Sequence, residues 1–323
     1  MNDTGLKILF IFTGGTIGTA VSEDGKRRIE EHGEGKMPLP LRIIRERLPE
    51  PDFTADIREP YLVLSEHMTL SHLEKLAACL REEELTEYDG VMITHGSDTL
   101  AFTAAFLGEL LRGCPVPVFL LAAQRPMEDP QSNAVDNIRA ALELTKASKE
   151  NGGCSGVYVT YRNDDGAVYL HKASELCQCR PGSDDFFSEG MQALIRTEAG
   201  YVWPEDSGRS DGLKDFRVPE ISLKPDVLIL HPYVGMRYDC ISLKGIRAVL
   251  HTMYHSSTAP KELEDFLDRC SSEGVKCYIL PCVPEETRYE TTTGLIRHGA
   301  VPISGMTVES AYMKLLLAGE QGL

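Results

Sequence analysis

Residues 6–18 read LKILFIFTGGTIG: a largely apolar run, Leu6–Phe12, that stops on two glycines set between two threonines. So short and apolar a run, broken by Gly-Gly, is the pattern of a strand buried on both faces of a parallel sheet. Six further runs resemble it, at Val91–Thr94, Val116–Ala122, Gly156–Tyr161, Val227–His231, Ile246–His251 and Val275–Leu280. Amphipathic stretches fall between and around them, at Leu39–Arg47, Ser71–Glu84, Ala101–Leu111, Ser132–Ala147, Lys261–Glu273 and Val308–Leu317. Strand and helix in alternation predict an α/β fold: a larger N-terminal domain on a mostly parallel sheet, then a smaller C-terminal α/β domain. Between about Phe187 and Leu223 the alternation lapses into polar sequence (WPEDSGRSDGLKDF). Domains are therefore expected over 1–190 and 223–323, joined by a linker over 191–222.

Helix starts carry capping signals. Thr69 or Ser71 precedes LEKLAACL, and Glu74 stands where a capping box starting at Ser71 needs it. Pro260 sits at a first-turn position ahead of KELEDFLDRC, and Thr307 leads VESAYMKLLLA. The acidic run Glu82–Glu84 reads as a solvated helix end.

The chain has 323 residues, with 33 Lys plus Arg against 49 Asp plus Glu, a formal charge of −16. A nucleic-acid partner requires a basic footprint, and the longest basic cluster is Lys26–Arg28, so none is expected. No stretch approaches the roughly 20 apolar residues of a membrane span, and the N-terminal run lacks the flanks of a secretory signal. The nine cysteines are scattered in a chain long enough to bury its own core, which points to free thiols in a reducing, cytoplasmic compartment.

In open α/β sheets ligands bind beyond the carboxyl ends of strands. After the first run comes Thr13-Gly14-Gly15-Thr16-Ile17-Gly18; its glycines permit close approach and leave Thr16 on an exposed turn. Neither the dinucleotide fingerprint nor the phosphate loop is met. After Val91–Thr94 comes His95-Gly96-Ser97-Asp98-Thr99, placing a carboxylate and hydroxyls at a helix start. Capping explains one of these polar residues and leaves His-Gly-Ser unexplained. Two hydroxyl-rich turns at strand ends suit hydrolysis by a hydroxyl nucleophile, which needs a base. Lys172 in YLHKASE is the candidate base, and equally reads as a surface lysine.

Other groupings read as structure. His251 and His255 share a helical spacing without the glutamate of a zinc hydrolase, and His171, Cys177 and Cys179 lack a fourth ligand at a recognised spacing. No metal or cofactor is expected. Asn163–Gly166 (NDDG) reads as a turn between two strands.

The motifs TGGTIG at 13–18, THGSDT at 94–99 and LAAQRPM at 121–127, with the C-terminal GMTVESAYMKLLLA, resemble the bacterial-type L-asparaginase family and are most similar to its cytoplasmic type I members. The resemblance implies a two-domain α/β fold, hydrolysis of the side-chain amide of asparagine through a covalent acyl-enzyme, and a homodimer or homotetramer in which a neighbour completes each site. It assigns Thr16 as nucleophile, with Gly15 beside it at the substrate; Ser97, Asp98 and Lys172 as a second hydroxyl–carboxylate–amine trio; and Ser65 and Glu66 of LSEHM as the pair holding the substrate's α-amino and α-carboxylate groups. Three departures accompany it. Ser97 stands where the family has threonine. The Ala20–Leu39 stretch contains no tyrosine, where the family places one against the nucleophile; it offers Ser22, Arg27, Arg28 and His32 instead. HTMYHSSTAP at 251–260 replaces the family's Gly-Asn-Ala-Pro ending. The expected activity is asparagine amidohydrolysis. A glutaminase-asparaginase, an ammonia-releasing subunit of a transamidation enzyme, and a non-catalytic amino-acid sensor stand as alternatives.

Overall fold

The computed structural model describes residues 5–21, 27–29, 38–151, 154–180, 182–205, 213 and 215–322. Two compact units divide the chain, Met1–Ile221 and Ser222–Leu323.

In the first unit, β1 (Leu6–Phe12) is followed by a short antiparallel pair, β2 (Thr19–Val21) and β3 (Arg27–Ile29), then α1 (Leu39–Arg47). Next come β4 (Phe53–Arg58), α2 (Leu70–Arg81), β5 (Gly90–Thr94), α3 (Leu100–Leu110), β6 (Pro117–Leu121) and α4 (Ala134–Asn151). A hairpin of β7 (Gly156–Arg162) and β8 (Val168–Lys172) turns on Asn163–Gly166, as its composition predicts. Five short strands close the unit: β9 (Leu176–Cys177), β10 (Phe187–Ser188), β11 (Gln192–Ala193), β12 (Ile195–Thr197) and β13 (Gly200–Val202).

The main sheet has seven strands in the order β11-β8-β7-β6-β5-β1-β4. β4, β1, β5, β6 and β7 are mutually parallel, and β8 runs against them. Alternate β1 side chains serve opposite faces. Leu6, Ile8, Phe10 and Phe12 pack into a core with Leu41 and Ile44 of α1 and Ile138, Ala141 and Leu142 of α4. Leu9 and Ile11, also fully buried, point to the opposite face. Burying one such side chain contributes about 2 kcal/mol, so Leu6–Phe12 is held by burial on both faces.

The second unit has a four-stranded parallel sheet in the order β14-β15-β16-β17, from β14 (Val227–Leu230), β15 (Ala248–Thr252), β16 (Lys276–Leu280) and β17 (Val301–Pro302). Val249, Cys277 and Ile279 share a core with Phe266 of α5 (Leu263–Ser272) and Leu295 of α6 (Glu290–Arg297). The last helix, α7 (Val308–Ala318), starts at Thr307, whose hydroxyl accepts the Ser310 N–H at 3.1 Å.

Several local readings change. β4, FTADIR, is a parallel edge strand that the sequence reading passes over. The capping box of α2 starts at Thr69 and is completed by His72, whose Nδ1 accepts the Thr69 N–H at 3.1 Å, instead of by Glu74. In the Glu82–Glu84 run, Glu83 is an ion-pair residue: it accepts Arg58 Nε at 2.6 Å and the Tyr88 hydroxyl at 2.9 Å. Residues 192–202, inside the stretch read as a linker, carry β11 at the end of the main sheet and the β12–β13 hairpin, which packs on α4. Most of the loop read over Ala20–Leu39, with Ser22 and His32, lies outside the described residues. No described helix is long and apolar enough to cross a membrane.

Candidate functional site

The strand order places a switch point at the centre of the main sheet: the chain leaves β1 toward β4 and leaves β5 toward β6, on opposite sides. Outgoing connections that diverge open a crevice at the carboxyl ends of those two strands. The two hydroxyl-rich turns lie there.

Backbone contacts lock the turns together. Beyond the last registered pair, Phe12 with Thr94, the Thr13 N–H donates to Thr94 Oγ1 at 3.2 Å and the Thr13 hydroxyl donates to the Thr94 carbonyl at 2.5 Å. The Thr13 carbonyl accepts the Val63 N–H at 3.0 Å, and Gly14 bridges Val63, drawing in the segment that carries Ser65. Gly15 has φ +77°, and a Cβ there would stand 2.4 Å from the His95 carbonyl and the Gly96 nitrogen. A Cβ on Gly96 would stand 2.4 Å from Ser65 Oγ. Glycine at both positions is thus a steric requirement for the turns to meet.

Thr16 follows Gly15 in a single 3-10 turn, Thr16–Gly18, and is half-buried. Ser97, Asp98 and Thr99 form the 3-10 turn ahead of α3. Ser65 is 4% exposed; its hydroxyl donates to Asp98 Oδ2 at 3.1 Å and accepts the Asp98 N–H at 3.3 Å, while Thr99 donates to the Ser65 carbonyl at 3.0 Å. Glu66, next in the turn Ser65–His67, is exposed. Thr16, Gly15, Ser65, Ser97 and Asp98 are thereby gathered from three segments distant in sequence.

His95 supports the arrangement from beneath. It is 1% exposed, its Nδ1 lies 2.8 Å from the Gly96 carbonyl, and its Nε2 lies 2.8 Å from the Thr103 hydroxyl. Burial pushes its pKa down to about 4, against an opposing contribution from the Gly96 carbonyl. His95 is therefore a neutral brace, with both ring nitrogens engaged.

Lys172 is not brought to the site. It ends β8, and because that strand runs antiparallel it registers with Tyr158, and through Phe119 with Met92. That row lies two residues, roughly 7 Å, behind Thr94, and β8 lies three strands, roughly 14 Å, to the side. Its ammonium pairs with Glu175 at 3.7 Å and is half exposed. The residue that reaches Asp98 from this part of the chain is Gln178, whose side-chain N–H donates to the Asp98 carbonyl. A turn that reverses the strand was legible at Asn163–Gly166, and with it the fact that β8 carries its last residues away from the crevice.

Among the described residues no three His, Cys, Asp or Glu side chains are grouped as metal ligands. A cavity of about 320 Å³ between α4 and the β12–β13 hairpin is lined by Glu143, Lys146 and Trp203. It lies away from the strand ends, and its Glu143 is occupied by Arg196 at 2.7 Å and the Tyr201 N–H at 2.9 Å. The switch-point crevice is the stronger candidate.

A family model described as "Asparaginase, N-terminal" matches residues 7–205. The chain is similar to the L-asparaginase of Thermococcus kodakarensis, 34% identical over 97% of this chain and 92% of that protein. It is also similar to a glutamyl-tRNA(Gln) amidotransferase subunit of Pyrococcus horikoshii, 25% identical over 96% of this chain and 71% of that protein. Among solved structures, L-asparaginase I from Vibrio cholerae superposes with a TM-score of 0.77 at 22% identity, over 99% of this chain and 94% of that one.

Proposed function

Since the chain belongs to the asparaginase family, we propose that it is an L-asparagine amidohydrolase working through an acyl-enzyme on Thr16. The observation that carries this reading is the contact of Gly15 with Gly96, which sets the Thr16 turn against Ser97 and Asp98 at the switch point. The Thr16 hydroxyl attacks the side-chain amide carbon, forming a C–O bond. Collapse of the tetrahedral intermediate breaks the C–N bond, and ammonia leaves with the proton taken from Thr16. Water then cleaves the ester and regenerates the hydroxyl. Backbone N–H groups of the two turns are the candidate oxyanion donors, each worth about 3 kcal/mol in such sites. Asp98, with its carboxylate fixed by Ser65, is suited to the substrate's ammonium group; Glu66 follows Ser65 in the chain and is exposed. The free thiols of all nine cysteines suit a reducing, cytoplasmic setting.

Similarity to the amidotransferase polypeptide supports a second reading, in which the ammonia is delivered to a partner enzyme. Both readings require amide cleavage. Ammonia release from asparagine and from glutamine tests them, with Thr16→Ala and Ser97→Ala measured alongside. Thr16→Ala is expected to lower kcat by on the order of 10³-fold or more. Ammonia at the wild-type rate from Thr16→Ala would remove Thr16 as nucleophile. Asparagine binding without turnover by the wild type would favour an amino-acid sensor.

A further inference from the structure

The described residues between β8 and β10, 173–180 and 182–186, form a braced strap that returns to the crevice after β8 has left it. The turn Ala173–Glu175 lies on α3, where a Cβ at Gly108 would be 3.4 Å from the Ser174 nitrogen. Leu176 is fully buried, and Cys177 pairs with Phe187 across β9 and β10. Cys179 Sγ lies 2.9 Å from the Ser183 carbonyl and 3.2 Å from the Asp185 carbonyl. Asn163 grips Phe186 at both ends of its peptide, accepting its N–H at 3.1 Å and donating to its carbonyl at 3.0 Å. The Phe186 ring meets Tyr161 edge-on at 4.8 Å. Gln178 lies between two anchored neighbours, half-buried, with its carboxamide on the Asp98 carbonyl. Asp98 is therefore gripped from two sides, on its carboxylate by Ser65 and on its carbonyl by Gln178.

We propose that Gln178 is the positioning residue of the Ser97–Asp98 turn, holding it through a neutral N–H donor. A carboxamide does not titrate, so the activity carries no ionisation from this position. The inference rests on the amidohydrolase reading for its turnover measurements only.

The test uses the full chain with Gln178→Glu, which keeps the shape and removes the donor, and Gln178→Lys, which keeps an N–H donor and adds a titrating group. Kinetics on asparagine across pH, melting temperature, and backbone hydrogen exchange of the peptide spanning 95–101 are compared. Gln178→Glu is expected to lower kcat at least about tenfold, because small misplacements of reacting groups are costly. Its melting temperature should stay near the wild-type value while exchange at 95–101 accelerates. Gln178→Lys is expected to recover most of the rate and to gain an ionisation in its pH profile. A lysine variant as impaired as the glutamate variant would overturn the donor role. If the wild type releases no ammonia from asparagine or glutamine, the amidohydrolase reading fails and exchange at 95–101 decides alone. Faster exchange in Gln178→Glu supports the grip on Asp98, and unchanged exchange overturns it.

Discussion

The two units end their parallel sheets in the same way and use the ends differently. In the first, the His95 N–H leaves β5 and bonds the Leu121 carbonyl of the neighbouring strand at 2.8 Å; in the second, the Met253 N–H leaves β15 and bonds the Leu280 carbonyl at 2.8 Å. Both edges bury a histidine near the strand end, His95 against Thr103 and His251 against Tyr238. Past that point they diverge. Gly14 and Gly15 of the first unit would push a Cβ to within 2.4 Å of another segment's backbone, whereas Gly235, Gly245 and Gly274 of the second have open space. In the first unit the two turns meet at glycine and gather hydroxyls with the Asp98 carboxylate; in the second, the turns after β15 and β16 meet through the Ser257 hydroxyl, which accepts the Val283 N–H at 3.2 Å. A parallel sheet supplies an edge; the turn residues decide whether it becomes a site.

The comparison breaks most sharply at glycine. Gly15→Ala combines a left-handed φ with a backbone clash, and is expected to cost more than about 3 kcal/mol and reduce amide hydrolysis by over about 100-fold. Gly245→Ala has nearly the same φ, +76°, without neighbours, and should cost about 1 kcal/mol with activity unchanged. Urea denaturation with ammonia assays checks both; equal penalties would show that close approach is irrelevant.

Acid sharpens the likeness. Burial lowers His95, His171 and His251 from 6.5 to about 4. An imidazole with a depressed folded pKa takes its proton more readily when unfolded. Its contribution is therefore complete above about pH 6.5 and is lost as pH falls toward 4. Between about pH 7 and pH 5 each is expected to cost about 2 kcal/mol, affecting both units, as read by urea midpoints against pH. A flat profile would contradict the buried neutral state.

The smallest effect is expected at Lys172. Lys172→Met removes an exposed pair with Glu175 and should change neither stability nor turnover measurably. Its counterpart in the second unit, Arg247→Met, breaks a largely buried pair with Asp226 at 3.1 Å and a bond to the Leu315 carbonyl at 2.9 Å, at about 2 kcal/mol. Large loss of turnover in Lys172→Met would return that residue to the site.

The buried strands were legible because each is a short, nearly continuous apolar run. β4 was not, since Thr54, Asp56 and Arg58 interrupt Phe53, Ala55 and Ile57 as befits an edge strand. The two hydroxyl turns were legible as chemistry because glycines flank them at strand ends. Lys172 was misplaced for a directional reason: residue type marks a strand, and only the hairpin turn before it tells which way it runs. Gln178 was missed because a carboxamide in a cysteine-flanked loop advertises nothing in sequence; its role comes from where the strap returns.

The meeting of Gly15 with Gly96 joins the two turns through peptide units alone. Side-chain truncation cannot probe that joint, since neither residue has anything to remove, and Gly15→Ala disrupts it only by adding an atom. Backbone chemistry could address it: exchanging the amide of Gly96 for an ester would leave every side chain in place while changing the unit on which Gly15 rests.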